Sequence, residues 1–453
     1  MAFVPHSDAE RAAMLAAIGA NSLEDLIAGL PKAGLFPDLA LPEGCSEMEL
    51  AREMRDLAAG NLNIADRPSF LGAGAYGHFI PAAVDSILQR AEFFTAYTPY
   101  QPELSQGMLQ AMFEYQSMIC ALTGMEVSNA SHYDGATALA EAVRLALEAG
   151  GKGRDRVFLS PAIDPQYREV VRTYLAAGEG RIEGDDDPNA EIGDLVARLG
   201  DDVAAFVVQT PNFFGQFESV DGLAEAVHAA GAMLIVVADP ISLGLFKAPG
   251  DYGADIVVAE GQPLGIPPSF GGPHLGIFAT RNANIRRLVG RLVGETTDTE
   301  GRRGYVLTLA TREQHIRRAR ATSNICTNSA LTALAATAYL ALMGRRGLGE
   351  VARLCYHKAH YAAGRLGEIN GVTINPQGPG KPFFKEFVVS LPCPVSAANA
   401  VLLDDYDIVG GADLGRTGAE REGHMLVAVT EMRNRKEIDR LVEGVEDAVA
   451  RHG

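Results

Sequence analysis

Between residues 127 and 260, short apolar runs alternate with helix-like segments, and this pattern limits the possible folds more than any other feature of the chain. Five runs are predicted to be strands: VSNA, RVFLS, VAAFVVQT, AMLIVVAD and DIVVAE. Segments such as GATALAEAVRLALEAG and PQYREVVRTYLAAG are predicted to be helices. Apolar strands that alternate with helices are typical of a parallel sheet covered on both faces. In such a sheet, ligands collect at the carboxyl ends of the strands.

The flanking regions predict a helical arm and a second domain. Residues 1–62 contain three Ser-capped helix starts, in SDAE, SLED and SEME, with little apolar material for a core. Residues 63–345 are expected to form the large α/β domain, in which LGIFATR returns as an antiparallel edge strand before a polar loop (294–304), a basic helix and the first of two long helices, 327–343. The second long helix, 346–369, begins a small α+β domain that extends to residue 453 and contains the strands FKEFVVSL and HMLVAVTEM.

Charge and composition exclude several classes of function. The formal net charge of −18 disfavours binding to nucleic acid or to an anionic membrane. The five cysteines show no C-x-x-C spacing and no accompanying His-rich cluster, so neither a metal site nor a disulfide framework is expected. No signal peptide or membrane-spanning apolar stretch is recognised, which makes the cytoplasm the expected location.

The stretch SHYDGATALAEA (131–142) resembles a cradle for phosphate, because a strand end is followed by Gly135 and a helix start. Free backbone N–H groups and the positive end of the helix dipole attract anions there, and glycine permits close approach. We expect His132 or Tyr133 to stack on a flat ring held by that phosphate, and Thr137 to add a hydroxyl donor. The alternative is an ordinary helix capped by Asp134.

Two features further along the chain, taken with this helix start, form the layout of a pyridoxal phosphate (PLP)-dependent aminotransferase-like fold. Asp239 ends the strand AMLIVVAD, where a carboxylate can hold a pyridine nitrogen in its protonated form. A loop rich in Gly and Pro follows the strand DIVVAE. In one large class of α/β enzymes, a lysine in such a loop holds PLP as an imine. Here the candidate positions for that lysine hold Gln262 and Pro263. A carboxamide cannot form an imine. We also expect no route to this site for Lys247, Lys358, Lys381 or Lys385, so no Schiff-base lysine is predicted.

Two polar segments are candidates for an interface or for the border of an active site. The basic segment TREQHIRRARATSNICT (311–327) contributes Arg312, His315 and Asn324, which suit a carboxylate, a phosphate or an acidic partner. The aromatic loop FFTAYTPYQPELSQG (93–107) contributes Tyr97, Tyr100 and Gln101, and such a loop can lie across a partner's active-site mouth. The alternatives are a solvated helix face for the first segment and core filling for the second.

Together these stretches, with FLGAGAYGHFIP (70–81) and GQPLGIPPSFGGPHLGIFATR (261–281), closely resemble the N-terminal or alpha subunit of the glycine decarboxylase P-protein of the glycine cleavage system. The resemblance runs nearly end to end. It implies the PLP-dependent aminotransferase-like fold, fold type I. In that family the PLP lysine belongs to the beta subunit, in an H-K-T setting where this chain has Gly261, Gln262 and Pro263.

The resemblance also implies a function shared between two chains. The alpha subunit, inactive alone, pairs with the PLP-bearing beta subunit, expected as (αβ)₂, in an oxidoreductase complex, glycine dehydrogenase (decarboxylating). Glycine is decarboxylated with release of carbon dioxide, and its aminomethyl group passes to the lipoyl group of H-protein. The cradle of this chain is then vestigial. A second reading is a catalytically degenerate PLP-fold scaffold or regulatory binding protein.

Overall fold

The computed structural model describes residues 6–31, 34, 40–178, 180–325 and 329–453 of the chain. The chain divides into two compact units, Met1–Leu62 and Asn63–Gly453. The last two positions of the basic segment 311–327 lie outside the described residues.

The described residues of the first unit form three α-helices, α1 (Asp8–Ala17), α2 (Leu23–Leu26) and α3 (Glu47–Ala59). Each predicted N-cap is confirmed, because the hydroxyls of Ser7, Ser22 and Ser46 each accept a hydrogen bond from the backbone N–H three residues later. No residue of these helices is buried. Local capping therefore defines the helix starts, and the arm has no core of its own among its described residues.

The second unit is built on a seven-stranded sheet whose strands run in the order β1-β7-β6-β5-β4-β2-β3. The strands are β1 (Val127–Ser128), β2 (Arg156–Leu159), β3 (Arg181–Glu183), β4 (Val203–Thr210), β5 (Met233–Ala238), β6 (Ile256–Glu260) and β7 (Gly276–Thr280). The pairs from β3 to β6 are parallel, as expected for these apolar strands. The five predicted strands are thus confirmed, and β3 was missed because it is short and only one of its residues is apolar.

Strand β7 is antiparallel to its neighbours, as predicted, but its predicted place at the edge of the sheet is wrong. It pairs with β6 on one side and with β1 on the other. All five of its residues are buried. A mostly apolar strand whose Thr280 hydroxyl donates to the Asp255 carbonyl suits the sheet interior, and the two-residue β1 takes the edge.

Helices cover both faces of this sheet: α4 (Ala82–Leu88), α6 (Gln106–Thr123), α7 (Gly135–Gly150), α8 (Pro165–Leu175), α9 (Ile192–Val196) and α10 (Leu223–Ala229). The short α5 (Ala91–Phe94) packs beside α6 instead. Alternate residues of one strand enter different cores, since Val236 of β5 belongs to one hydrophobic cluster and Ile235 and Val237 belong to another. Successive strand side chains point to opposite faces. The two clusters are therefore the two covered faces that the sequence pattern predicts.

The region after the large sheet differs from the sequence expectations in two places. The predicted polar loop at 294–304 is instead an antiparallel hairpin of β8 (Leu292–Thr297) and β9 (Arg303–Thr308). The predicted basic helix is limited to one turn, α11 (Gln314–Arg317), with 3₁₀ turns beside it. The long helix α12 (Ala330–Leu366) is broken at Gly344, whose φ is 58°, close to the predicted division between two helices.

The C-terminal part forms a four-stranded antiparallel sheet in the order β10-β11-β13-β12, with two helices. Its elements are β10 (Thr373–Ile374), β11 (Glu386–Ser390), α13 (Val395–Asp404), β12 (Ala412–Asp413), β13 (His424–Ala428) and α14 (Arg435–His452). The backbone of Phe70 binds this sheet, because its N–H donates to Val409 and its carbonyl accepts from Ala428. The segment around residue 70 is thus attached to the small sheet. In the part of the chain that the structure describes, no helix is both long and apolar enough to cross a bilayer.

Candidate functional site

A small cavity lies at the carboxyl ends of β5 and β6, where ligands bind in sheets of this kind. Its volume is about 50 Å³. The wall includes Tyr76, Tyr167, Asp239, Glu260, Pro263 and Lys385. The predicted residues Asp239 and Pro263 therefore do meet at one place, together with charged and aromatic side chains that the sequence analysis did not single out.

Asp239 is paired with a lysine, contrary to the expectation that Lys385 has no route to this site. The Nζ atom of Lys385 lies 2.7 Å from Oδ2 of Asp239, and both side chains are nearly buried, with 2% and 14% exposure. The same ammonium lies 3.6 Å from the centroid of the Tyr76 ring. Lys385 directly precedes β11, and the small sheet carries it to the end of β5. Its place next to Glu386 inside the apolar run PFFKEFVVSL was the sequence signal for a buried charged pair.

The start of α7, the predicted phosphate cradle, holds a carboxylate of the chain itself. Oε2 of Glu260 accepts the backbone N–H of Gly135 at 3.0 Å, and Oε1 accepts the N–H groups of Gln262 and Leu275 at 2.9 and 3.1 Å. Nδ1 of His274 lies 3.4 Å from Oε2, and the hydrogen bond to this carboxylate raises the pKa of His274. The free N–H donor expected at Gly135 is thus satisfied internally.

Gly135 and Thr137 serve the chain's own geometry. A Cβ atom on Gly135 would meet the hydroxyl of Tyr167 and would lie 2.9 Å from the backbone nitrogen of Glu260. Oδ1 of Asp134 accepts the N–H of Thr137 at 2.7 Å, and the Thr137 hydroxyl bonds back to the Asp134 backbone. These contacts correspond to the capped-helix alternative of the sequence analysis.

Gln262 stands near the position expected for a Schiff-base lysine, and it fastens the segment 70–81. Its carboxamide accepts from the N–H of Tyr76 at 2.9 Å and donates to the Tyr76 carbonyl at 3.0 Å. It also donates to the carbonyl of Ile266 at 2.6 Å. The side chain is fully buried. Glutamine is suited to this position because it supplies one acceptor and two donors without a charge.

Tyr76 connects this glutamine to the small sheet. Its hydroxyl donates to Oε2 of Glu386 at 2.6 Å, and Oε1 of Glu386 accepts the N–H of Ala73 at 2.8 Å. Burial raises the pKa of Glu386 to about 7. Burial likewise raises the pKa of Asp164, on the cavity wall, to about 6. The cavity therefore contains carboxyl groups that are held partly protonated near neutral pH.

The structure places His132 away from the cavity, which corrects the expectation that it could stack on a bound ring. Its imidazole is fully buried and stacks on Phe278 of β7, with ring centroids 5.1 Å apart. Burial lowers the pKa of His132 to about 3. Tyr133, by contrast, is 40% exposed. A histidine held neutral against a core phenylalanine acts as a packing residue.

Of the interface candidates, Tyr100, His315 and Asn324 lie around two adjoining surface cavities. Tyr100 and His315 line a cavity of about 400 Å³, with their ring centroids 6.2 Å apart. Asn324 lines another of about 480 Å³, and Arg318 forms part of both walls. We call these two openings the Arg318 surface.

The remaining interface candidates are placed differently. Arg312 faces inward and donates to the carbonyls of Leu309 and Gly290, and burial lowers its pKa. Arg312 also lines a small opening of about 20 Å³ with Arg286, Arg317 and Ser323, so its expected position at a polar site stays a prediction. Tyr97 and Gln101 are exposed, Tyr97 to 85%.

One group of described residues has the composition of a metal site, although none was expected. The ligand atoms of His78, Cys355 and Glu431 all lie within 4.8 Å of one another. Nδ1 of His78 lies 2.7 Å from Glu431, and the Lys385 ammonium lies 3.3 Å from Nε2 of the same ring. Although burial opposes it, the hydrogen bond from His78 lowers the pKa of Glu431 to about 2. The Lys385 ammonium beside His78 and the hydrogen bond between His78 and Glu431 account for this cluster without a metal ion.

The fold and the strand-end site define a class of protein. The sheet order, the helix that starts at Gly135, Asp239 after β5 and the C-terminal α+β region together form the PLP-dependent aminotransferase-like fold, fold type I. A sphingosine-1-phosphate lyase from Burkholderia pseudomallei is similar in fold, with a TM-score of 0.64 at 17% sequence identity over 93% of this chain and 95% of the lyase.

Sequence similarity identifies the family within this class. The sequence model of the glycine cleavage system P-protein matches residues 1–445. The probable glycine dehydrogenase (decarboxylating) subunit 1 of Thermomicrobium roseum is 50% identical over 453 residues, covering 99% of this chain and 100% of the relative. A crystal structure of glycine decarboxylase (P-protein) of the glycine cleavage system, in inhibitor-bound form, has a TM-score of 0.88 at 47% identity over 99% of this chain and 100% of that one. The chain belongs to the glycine cleavage system P-protein family.

The residues at the strand ends do not fit the PLP that this fold class implies. The cavity of about 50 Å³ is far below the roughly 300–1,000 Å³ of ordinary cofactor sites. The N–H of Gly135 and the carboxylate of Asp239 are both engaged by the chain itself. The Lys385 ammonium lies at the carboxylate that would hold the ring nitrogen, and not in the loop at Gln262. We therefore assign no reaction step to this site.

Proposed function

We propose that this chain is the first of two subunits of glycine dehydrogenase (decarboxylating), the P-protein of the glycine cleavage system, and that it is inactive alone. The observation that carries the proposal is end-to-end similarity at about 50% identity to proteins named subunit 1 of that enzyme. The name of those relatives implies a second subunit. The internally filled strand-end site supports a division in which the partner, and not this chain, carries PLP.

In the proposed assembly, an (αβ)₂ heterotetramer in the cytoplasm, glycine is decarboxylated at the partner's site. Carbon dioxide leaves, and the aminomethyl group passes to the lipoyl group of H-protein. Because this chain holds no coenzyme in the proposal, its residues act by positioning. They hold the partner's site in shape and border the path by which the lipoyl group arrives.

The segments that contribute to this border are the aromatic loop 93–107 and the described part of 311–327. Tyr100 ties the two regions together, because its hydroxyl is 2.8 Å from Nη2 of Arg291 and its ring lies beside His315. Tyr97 and Gln101 extend from the same loop into solvent. Exposed aromatic residues on a supported loop are typical of binding surfaces.

The Arg318 surface suits an acidic partner. Arg144, Arg318 and Asn324 line its larger cavity, so it offers two guanidinium groups and a neutral amide in a chain with a net charge of −18. A local positive opening on an acidic protein directs anionic groups to one place. We place the contact with H-protein or with the partner subunit there.

Co-expression with a lysine-bearing paralogue encoded nearby tests the proposal. The two chains are expected to copurify and to catalyse glycine-dependent exchange of carbon dioxide with lipoylated H-protein, whereas each chain alone is inactive. Exchange by this chain alone would contradict the proposal. Failure of the two chains to associate, with the paralogue active by itself, would instead favour the scaffold reading.

A further inference from the structure

The internal contacts at the strand ends match the two charged ends of PLP in both sign and place. At the start of α7, where a helix would bind a phosphate, the anion is the carboxylate of Glu260, which accepts the N–H of Gly135 at 3.0 Å. At Asp239, which would hold a protonated ring nitrogen, the cation is the ammonium of Lys385 at 2.7 Å. The place of the phosphate thus holds a negatively charged side chain, and the place of the protonated ring nitrogen holds a positively charged one.

An aromatic side chain also lines the site. The ring of Tyr76 lies against the Lys385 ammonium, with 3.6 Å between Nζ and the ring centroid. Gln262, near the position expected for a lysine, holds the backbone of Tyr76 by two hydrogen bonds. Lys385 and Glu386 come from the start of β11, an inner strand of the small sheet, and Glu260 and Asp239 come from strand ends of the large one.

We propose that Glu260 and Lys385 are built-in substitutes for the two charged ends of PLP, that together they close this site to the coenzyme, and that Lys385 also joins the small sheet to the large one. Loss of the Schiff-base lysine is then one part of a wider replacement. The inference rests on the proposed function, in which the coenzyme stays with the partner. Its tests measure the stability and the ligand binding of this chain alone, so they can fail while glycine turnover by the pair is observed.

The first experiment removes each of the two charged side chains and adds a small ion of the same charge to the solution. Lys385→Ala is expected to lower the melting temperature of the full chain by several degrees, and propylammonium chloride is expected to restore at least half of that loss. Glu260→Ala is expected to respond in the same way to inorganic phosphate. The exchanged additives, phosphate for Lys385→Ala and propylammonium for Glu260→Ala, are expected to have no more effect than sodium chloride at equal ionic strength.

The matched control for the lysine is Lys381→Ala. Lys381 lies four residues away, and its ammonium pairs at the surface with Glu191 at 3.0 Å, where 38% of the lysine side chain is exposed. This variant is expected to keep the wild-type melting temperature and to show no response to propylammonium. Equal responses of the Lys381 and Lys385 variants would overturn the proposal.

A double-mutant cycle keeps the proposal testable if Lys385→Ala does not fold. Lys385→Met alone leaves Asp239 buried without its partner, whereas Lys385→Met combined with Asp239→Asn removes both charges. The double variant is expected to be more stable than the single one. A double variant that is no more stable than Lys385→Met overturns the proposal.

Direct titration tests the closure of the site. Pyridoxamine phosphate carries the same charged ends without an aldehyde, so it reports non-covalent occupation. The wild-type chain is expected to give no binding isotherm with it by calorimetry, and its melting temperature is expected to stay unchanged. Saturable binding that is abolished by Asp239→Asn would overturn the proposal.

Discussion

Replacing Gln262 by alanine is expected to release the segment 70–81 from the large sheet. The carboxamide makes three hydrogen bonds at 2.6 to 3.0 Å, two to the backbone of Tyr76 and one to the carbonyl of Ile266. The Gln262 side chain is fully buried and its bonds are buried or partly buried, and each backbone group left without a partner costs about 1–3 kcal/mol. With some relaxation of the three groups, we expect Gln262→Ala to lose about 3–5 kcal/mol of unfolding free energy.

Urea unfolding of the full chain measures this loss, and hydrogen exchange with mass spectrometry locates it. Amides of residues 70–81 are expected to lose protection in the variant. The control is Gln89→Ala, because the Gln89 amide bonds only to Asp85 on an exposed helix surface in the described contacts. We expect that change to stay within about 0.5 kcal/mol. A loss below about 1 kcal/mol for Gln262→Ala, with unchanged exchange at 70–81, would refute the assigned role of Gln262.

Three further predictions follow from separate contacts. Gly135→Ala is expected to lower the free energy of unfolding by about 1–3 kcal/mol in thermal unfolding, because the new methyl group meets the Tyr167 hydroxyl. The control is Gly364→Ala in α12, which has open space around it and is expected to stabilise the chain by up to about 1 kcal/mol. Equal effects of the two changes would contradict the crowding at Gly135. Because burial raises the pKa of Glu386 from 4.5 to about 7, the folded chain binds the proton more tightly, and this group's contribution to stability falls as the pH rises between those values. Glu386→Gln should therefore gain about 3 kcal/mol relative to the wild type between pH 4.5 and 8 in urea unfolding, and a pH-independent difference would contradict the raised pKa. Tyr97→Ala is expected to leave the stability of the chain unchanged, since Tyr97 is 85% exposed. It is expected to weaken binding to the partner subunit about tenfold in biolayer interferometry. Unchanged affinity would exclude Tyr97 from that interface.

The large sheet could be predicted from sequence because its strands are continuous apolar runs, and a buried parallel strand needs no other signal. VAAFVVQT and DIVVAE are of this kind. β3 and the hairpin of β8 and β9 could not be predicted in the same way. Their sequences contain Arg, Glu and Thr, and their pairing depends on neighbouring strands that are distant along the chain.

The location of the candidate site could be predicted, but the side chains that fill it could not. Gly135, Asp239 and Gln262 mark strand ends and a helix start, which local patterns reveal. Lys385 lies 146 positions after Asp239, the difference of their residue numbers, and only the packing of the small sheet on the large one brings the two together. His132 was misplaced because the sequence does not show which side of a strand end faces the core.

The most direct test of the whole account is the location of PLP in the active pair of subunits. Borohydride reduction of the resting complex, in the absence of glycine, reduces the imine between the coenzyme and the lysine that holds it, and peptide mass spectrometry then identifies that lysine. We predict a single labelled peptide, from the partner subunit, with the peptides of this chain unlabelled. A phosphopyridoxyl group on Lys385, or on any other lysine of this chain, would contradict the account.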